Sequence, residues 1–451
     1  MALVISVLGR GGVPQPPPAT TAAGAGPGDL FGYDPGRASD FVARATAGNA
    51  HVLFAKSPGG ALITAARVAA YRSMIDRATA GTGIDPALLE GLVFVESAGR
   101  PQVIAGSDAA NAAGLTQILA QTGQSLLGMH IDLSRSRALT AQIDAVASGA
   151  HRGRLAALLA RRAAVDDRFN PAKELAATVR YLEIAQRRFG RQDLALESYH
   201  MGIGNLQHVL GDYDSGRSVP YGQVYFDSTP HRHPAAFNLL ASFGDDSELY
   251  YWRILGAVQI MHLYRTDHAA LARLAALQDS DDAGAAVLHP ADVAHPYADP
   301  AALAAAYQRR TVVPLPSNAA QLGIAVSGQI GARAGRVGAP ASLYRGLRPV
   351  ALRVLIEIAA QVWALSGVRA PLRLVSTVAD QRYQRRVLGG AYAPAATGYA
   401  FAIERRYADP AQAAAFQAVL DRLQSLNLIA WAREPTVIWI TAAADAVAWR
   451  P

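Results

Sequence analysis

Cysteine is absent from this 451-residue chain. Its absence excludes disulfides and thiolate metal sites and leaves the redox compartment open. Lysine is scarce: Lys56 and Lys173 are the only two, so the net charge of +7 rests on arginine. A basic surface suits a polyanion such as nucleic acid, a membrane surface or an anionic cell wall; a GC-rich genome gives the same arginine, alanine and glycine bias. There is no compact Lys/Arg run and no basic-aromatic interleaving, so no nucleic-acid partner is expected. Long apolar runs are missing as well. The longest candidate, Val350 to Leu365, carries Arg353 and Glu357 and reads as an amphipathic helix, so no transmembrane anchor is expected. The N-terminus, Met1 to Arg10, has a short apolar segment without a basic region before it, which fits a signal peptide that is truncated or absent.

What is present divides the chain. Residues 1–34, with a Pro/Ala/Gly tract from Gly11 to Gly28, cannot bury enough apolar surface to order themselves and read as a disordered tail. Residues 35–277 are mostly helical in pattern. Asp85-Pro86 marks a helix start, with Asp as N-cap and Pro at the first helical position, and Leu88, Leu89, Leu92, Val93 and Val95 then give a broad buried face. Further helices are expected from Pro171 to Phe189, ending at Gly190, from Gln192 to Met201, and from Glu248 to Tyr264. Residues 278–314, rich in Asp, Ala, His and Pro, read as a linker. Residues 315–451 mix helices (Arg348–Leu365, Ala411–Leu426) with short strand-like runs (Leu372–Ser376, Tyr399–Ile403, Val437–Thr441). The expectation is a multidomain protein: a mainly α N-terminal domain and a smaller α+β C-terminal domain.

Glu96 is the residue with most chemistry about it. It ends an apolar helical run and leads into Ser97-Ala98-Gly99-Arg100-Pro101. A glycosidic oxygen leaves only when protonated, and the acid that protonates it needs an apolar setting to keep its proton near neutral pH. Val93, Phe94 and Val95 offer that setting. Glu90 is six residues, roughly 240°, around the helix and points elsewhere. Asp108 is the nearest candidate for a second carboxylate, in a loop where it also suits capping a turn. Tyr250-Tyr251-Trp252 sits on the last helix of this region; one ring could line a sugar subsite, and two of the three should be core.

Three blocks in order, Glu96-Ser97, then Asn111-Ala112-Ala113-Gly114-Leu115-Thr116-Gln117, then Ser198-Tyr199-His200-Met201-Gly202, resemble the catalytic domain of soluble lytic transglycosylases, of goose-lysozyme-like fold. The resemblance covers roughly residues 40 to 270. It departs at Asn111 (usually Gly), Thr116 (usually Met) and His200 (usually Asn). It implies cleavage of the β-1,4 bond between N-acetylmuramic acid and N-acetylglucosamine in peptidoglycan. Glu96 would be sole general acid and base, Tyr199 would lie near it, and the product would be a 1,6-anhydro sugar. It also implies substrate contacts from Ser97, Gly114, Leu115, Gln117 and Gly202, to which Tyr251 is added as the candidate stacking ring. No cofactor is expected, and an extracytoplasmic location follows from the substrate. Hydrolysis of the same bond, in the manner of goose lysozyme, and a non-catalytic wall-binding scaffold are the alternatives.

The C-terminal region resembles the zinc D-Ala-D-Ala carboxypeptidase and hedgehog-like fold. The landmarks are Ser376 to Gln384, Thr397 to Ile403, Trp431 to Pro435 and Ile438 to Thr441. That family binds zinc through Ser-x-His-x-x-Gly-x-Ala-x-Asp and a final His. Aligned on Gly398 and Ala400, this chain has Ala393 for the serine, Ala395 for the histidine, Ala402 for the aspartate and Trp439 for the last histidine. Ala379 stands for a common arginine, and Glu434 falls where the base would be. The resemblance therefore implies a metal-free pseudopeptidase domain, whose role would be to hold peptidoglycan stem peptides as a partner, to orient the lytic domain, or only to stabilise the chain.

Overall fold

A computed structural model of the chain describes residues 32–147, 152–244, 246–280, 283–290, 292–390 and 393–446. Most of the expected N-terminal tail, residues 1–31 including the Gly11–Gly28 tract, lies outside the described residues. At its end Asp34 caps a short turn, Pro35–Arg37. By their contacts the described residues form two compact units. The first comprises Val52–Val224 and Leu239–Ala275; the second comprises residues 32–51, Tyr225–Asn238 and 276–446.

The first unit is helical. Asp85 accepts from the Ala87 amide at 2.8 Å and Pro86 takes the first helical position, so the Glu96 helix spans Pro86–Ser97. Such a cap contributes about 1 kcal/mol. The helix stops because Ala98 (φ 55°) and Gly99 (φ 71°) turn left-handed. Its main packing partner is the Tyr250 helix, Tyr250–Thr266. Gly91 allows the two to cross closely, since a methyl there would stand 2.9 Å from the Ile254 carbonyl oxygen. The two helices run antiparallel. Glu90 meets Arg265 (2.6 Å), Gly91 meets Ile254 and Glu96 meets Tyr250, so the end of one helix lies at the start of the other. Glu90, buried and also paired with Arg72, is an anchor on the side away from Glu96. Behind this pair, Pro171–Phe189 is capped by Asn170 and closed by left-handed Gly190, and it packs on Gln192–Met201.

The second unit holds a five-stranded sheet. In chain order its strands are β1 (Ile324–Val326), β2 (Leu372–Ser376), β3 (Ala400–Glu404), β4 (Ile429–Arg433) and β5 (Val437–Ala442). They lie side by side as β1-β2-β3-β5-β4, with β1 and β2 parallel and the others antiparallel. β1 and β4 are the strands that the sequence pattern left unread. Pro349–Ser366 is the one described helix long and apolar enough to cross a membrane. Its Ala351, Leu355, Ile358 and Val362 are buried, and it packs on Pro410–Ser425.

The stretch expected to be a linker, 278–314, carries helices Ala283–Leu288 and Pro300–Gln308. Tyr297 within it exchanges backbone hydrogen bonds with Ala396 and Gln381. The X-Pro steps that suggested a linker include a capped helix start, Asp299-Pro300. Two early segments also belong to this unit. Helix Ala38–Gly48 packs on Pro410–Ser425, and Arg44 reaches Asp445 at 2.7 Å. Buried Arg422 donates to the carbonyls of Tyr225 and Ser228.

Candidate active site

Glu96 lies in the last turn of its helix, where carbonyl ends disfavour a negative charge. Part of the side chain reaches solvent, but protein surrounds its carboxyl. Burial pushes its pKa up to about 7, opposed by one hydrogen bond: the Tyr250 hydroxyl donates to Oε1 at 2.5 Å. An acid that holds its proton near neutrality, yet can give it up, is the result.

Tyr250 is almost wholly buried. Burial, then the nearby Glu96 charge, keeps its phenol protonated far above the usual range. Its ring stacks with Tyr199 (6.4 Å between centroids, 13° between planes) and with His200 (5.1 Å, 24°). His200 in turn is held through Nδ1 by the Ser247 hydroxyl at 2.8 Å. Tyr181 meets the edge of Tyr199. The hydroxyl on the acid is thus Tyr250's. Tyr199 donates its own to the Thr116 carbonyl at 2.8 Å, close enough to Glu96 for the carboxylate to act on its titration.

Thr116 belongs to the second block, and Glu174 fixes that loop from beneath. This fully buried carboxylate accepts from the Leu115 amide (2.6 Å), the Thr116 amide (2.8 Å) and the Thr116 hydroxyl (3.0 Å). Burial pushes Glu174 up to about 8, against those same donors. Gly114, at φ +90°, passes over it; a methyl group there would lie 2.1 Å from the Arg168 carbonyl oxygen and 2.5 Å from the Glu174 carboxylate. Ser97 closes the loop from the other side, donating to the Leu115 carbonyl at 2.7 Å. Thr116, where the family usually has methionine, thereby supplies a hydroxyl that Glu174 and Thr178 both bond.

The residues expected to touch substrate separate into two groups. Ser97, Gly114 and Leu115 are buried and act by holding the loop. Gln117, Tyr199 and Gly202 keep partial exposure. Gln117 is left-handed (φ 55°), and its amide donates to the carbonyls of Val103 and Gly114. Tyr251 is half-buried against Tyr221 and Trp252, and its amide donates to Glu197. Asp108 is exposed and gives both oxygens to Arg137, which holds its pKa down to about 2. Sequence reasoning missed Tyr250 as the partner of the acid, and Glu174. A signal existed for each. Tyr250 begins the flagged aromatic triplet, and Glu174 lies on the apolar side of its helix beside Leu175 and Thr178.

In the second unit, three of the positions singled out in the sequence lie together. Ala395, Ala402 and Trp439 form one apolar cluster with Val375 and Val437 around it. Ala402 and Trp439 face each other across β3 and β5, and Trp439 Nε1 donates to Glu434 at 3.1 Å. Of Ala393 only its place in a short helical turn is described. Among the described residues no group of three or more His, Cys, Asp or Glu is placed to hold a metal.

Compared with known families, residues 73–151 match the Transglycosylase SLT domain. This segment contains Glu96, the loop to Gln117 and Asp108, and stops short of Tyr199 and Tyr250. Members of that family are lytic transglycosylases, which act on peptidoglycan. No curated protein matches the chain.

Proposed function

We propose that the chain is a peptidoglycan lytic transglycosylase, cleaving between N-acetylmuramic acid and N-acetylglucosamine, with Glu96 as acid and then base. The observation that carries this is Glu96 itself. It lies in the segment matched by the family, its pKa is near 7, and Tyr250 fixes one oxygen so that the other can carry the proton. Glu96 protonates the glycosidic oxygen as the bond from C1 of the muramic sugar breaks, and the glucosamine end leaves with a new hydroxyl. The ionised Glu96 then takes the C6 hydroxyl proton of the same muramic residue, whose oxygen closes on C1. The products carry a 1,6-anhydro end, Glu96 regains its proton and no water is consumed. Tyr250 steadies the acid in both states. Tyr199 supports it through the stacked rings and ties the Thr116 loop to them.

Hydrolysis needs a base for water or a second carboxylate as nucleophile. The engagement of Asp108 with Arg137 favours transglycosylation over hydrolysis. The location of peptidoglycan makes the protein extracytoplasmic. Mass spectrometry of digested sacculi tests the reading. Anhydro-muropeptides from the native protein and none from Glu96→Gln are expected, whereas reducing ends one water heavier would establish a muramidase. Absence of products with retained binding to sacculi would establish a wall-binding scaffold.

For the second unit we infer a degenerate carboxypeptidase-like domain that holds stem peptides without a metal. The convergence of Ala395, Ala402 and Trp439 supports the alignment. These side chains offer no imidazole or carboxylate, so they do not fit zinc, and Glu434 has no metal-bound water to activate. Stoichiometric zinc in purified protein would overturn this.

A further inference from the structure

The positive charge of the chain is concentrated in one stretch. Residues 309–399 contain twelve arginines and two acidic residues, Glu357 and Asp380, a net of +10 against +7 for the whole chain. Five of these arginines lie on two short helical turns of the second unit that pack together. Arg333 and Arg336 belong to the turn around Ala334–Val337, and Arg382, Arg385 and Arg386 to the continuous turn from Gln381 to Leu388. All five are exposed.

The helical turn explains why they share a face. Tyr383, Gln384 and Val387 point inward, so positions 382, 385 and 386, spaced i, i+3 and i+4, point outward together. Arg333 acts electrostatically on the Tyr383 phenol and Arg382 on that of Tyr344, and these two buried rings stack at 3.9 Å. One arginine from each turn therefore lies near the same tyrosine pair. None of the five forms an ion pair with a described residue. The nearby carboxylate, Asp380, is fully buried and bonded to the Tyr344 hydroxyl and the Tyr383 amide.

Like charges at this spacing repel. A dipole at the end of so short a turn compensates for Arg385 and Arg386 at most. A locally unfavourable arrangement with no internal compensation points to something outside the chain. We propose that this arginine face is a docking surface for a linear polyanion, a flexible polymer with repeated phosphate groups. Guanidinium forks suit phosphate oxygens. A membrane would need an apolar face to insert, and Leu388 is the one large apolar side chain exposed on these turns. Single-stranded nucleic acid would need exposed rings for stacking, and Tyr344 and Tyr383 are buried. This surface does not depend on the reading of Glu96.

The experiment is binding of the full-length protein to long-chain polyphosphate at rising salt, by fluorescence anisotropy. Arg385→Glu/Arg386→Glu is compared with Arg152→Glu/Arg154→Glu, which makes the same charge change on an exposed helix of the first unit. Expected are salt-sensitive binding, weakened at least tenfold by the first pair and less than threefold by the second. Circular dichroism should stay unchanged, and Arg382→Gln/Arg385→Gln serves if the reversal variant unfolds. Equal losses in both pairs would reduce the effect to net charge and overturn the proposal. So would undiminished binding in the first pair. Binding to phosphatidylglycerol vesicles or to single-stranded DNA, lost in the first pair, with none to polyphosphate, would overturn it in favour of a membrane or a nucleic acid.

Discussion

The two units each bring together the residues that sequence resemblance marks as a catalytic centre, and they treat them oppositely. Around Glu96 the protein keeps polar groups in a buried setting and satisfies them individually. Tyr250 bonds the acid, Thr116 takes the Tyr199 hydroxyl, and Glu174 takes three donors from the loop. Around Trp439 the same kind of position is filled with methyl groups and an indole. Buried carboxyls are costly unless hydrogen-bonded, whereas apolar packing is stabilising without any such support. The first arrangement carries that cost and meets it with hydrogen bonds, and the second avoids it.

The comparison is broken most severely by removing the acid. Glu96→Gln should lower glycan cleavage by roughly 10²–10⁴-fold, the range for a general acid, without loss of binding to sacculi; a variant with native rates would transfer the acid to another group. It should also flatten the pH dependence of folding. A carboxyl raised from the usual range to about 7 makes the native state bind more protons between those values, so native stability is greatest at low pH and falls as pH rises toward 7. Glu174, raised to about 8, contributes the same sign over a slightly higher window. Chemical denaturation of the native protein and of Glu96→Gln at pH 4 and pH 8 measures the difference.

Next is Glu174→Ala, which strands two buried amides at about 1–3 kcal/mol each. It should lower the melting temperature and cut kcat, and Glu174→Gln should recover part of both. In the second unit, Ala402→Asp places an unpaired carboxyl in the apolar cluster. It should cost about 2 kcal/mol or more of stability, read by denaturant titration, and leave glycan cleavage untouched. Tyr250→Phe has a smaller, more diagnostic effect. Losing a donor to the carboxylate raises the Glu96 pKa further, so the alkaline limb of the pH–rate profile moves upward while the fold persists. Smallest of all is Asp108→Ala, with a rate change under about twofold on the transglycosylase reading.

Much of this was legible in the sequence because it is written in local signals. Asp85-Pro86 and Gly190 set helix ends where they were expected, and the apolar face from Leu88 to Val95 is buried throughout. The parts that were not legible depend on distance along the chain. Tyr250 stands 154 positions from Glu96, and it lies beside Tyr251 and Trp252, whose composition says aromatic but not which ring faces the acid. Glu174 reads as an ordinary helical glutamate until the Leu115 and Thr116 amides arrive from 59 and 58 residues away. Strand β4 carries Ala430, Trp431, Ala432 and Arg433, too mixed for alternation to reveal it. The 278–314 region was read from its prolines, although Asp299-Pro300 is the same start signal that was recognised at Asp85-Pro86.

Arg44 and Asp445 form an ion pair across 401 positions. Helix Ala38–Gly48 belongs to a unit whose sheet is completed only by Val437–Ala442. On the ribosome this helix must wait until residues 410–425 have been made before its packing partner, Pro410–Ser425, exists. The first unit, by contrast, can complete itself once residue 275 has emerged. Synthesis therefore imposes an order, the unit with the glutamate before the unit with the sheet. Because contacts of such long range close slowly, the sheet-bearing unit is the step at which folding of this protein is expected to be slowest.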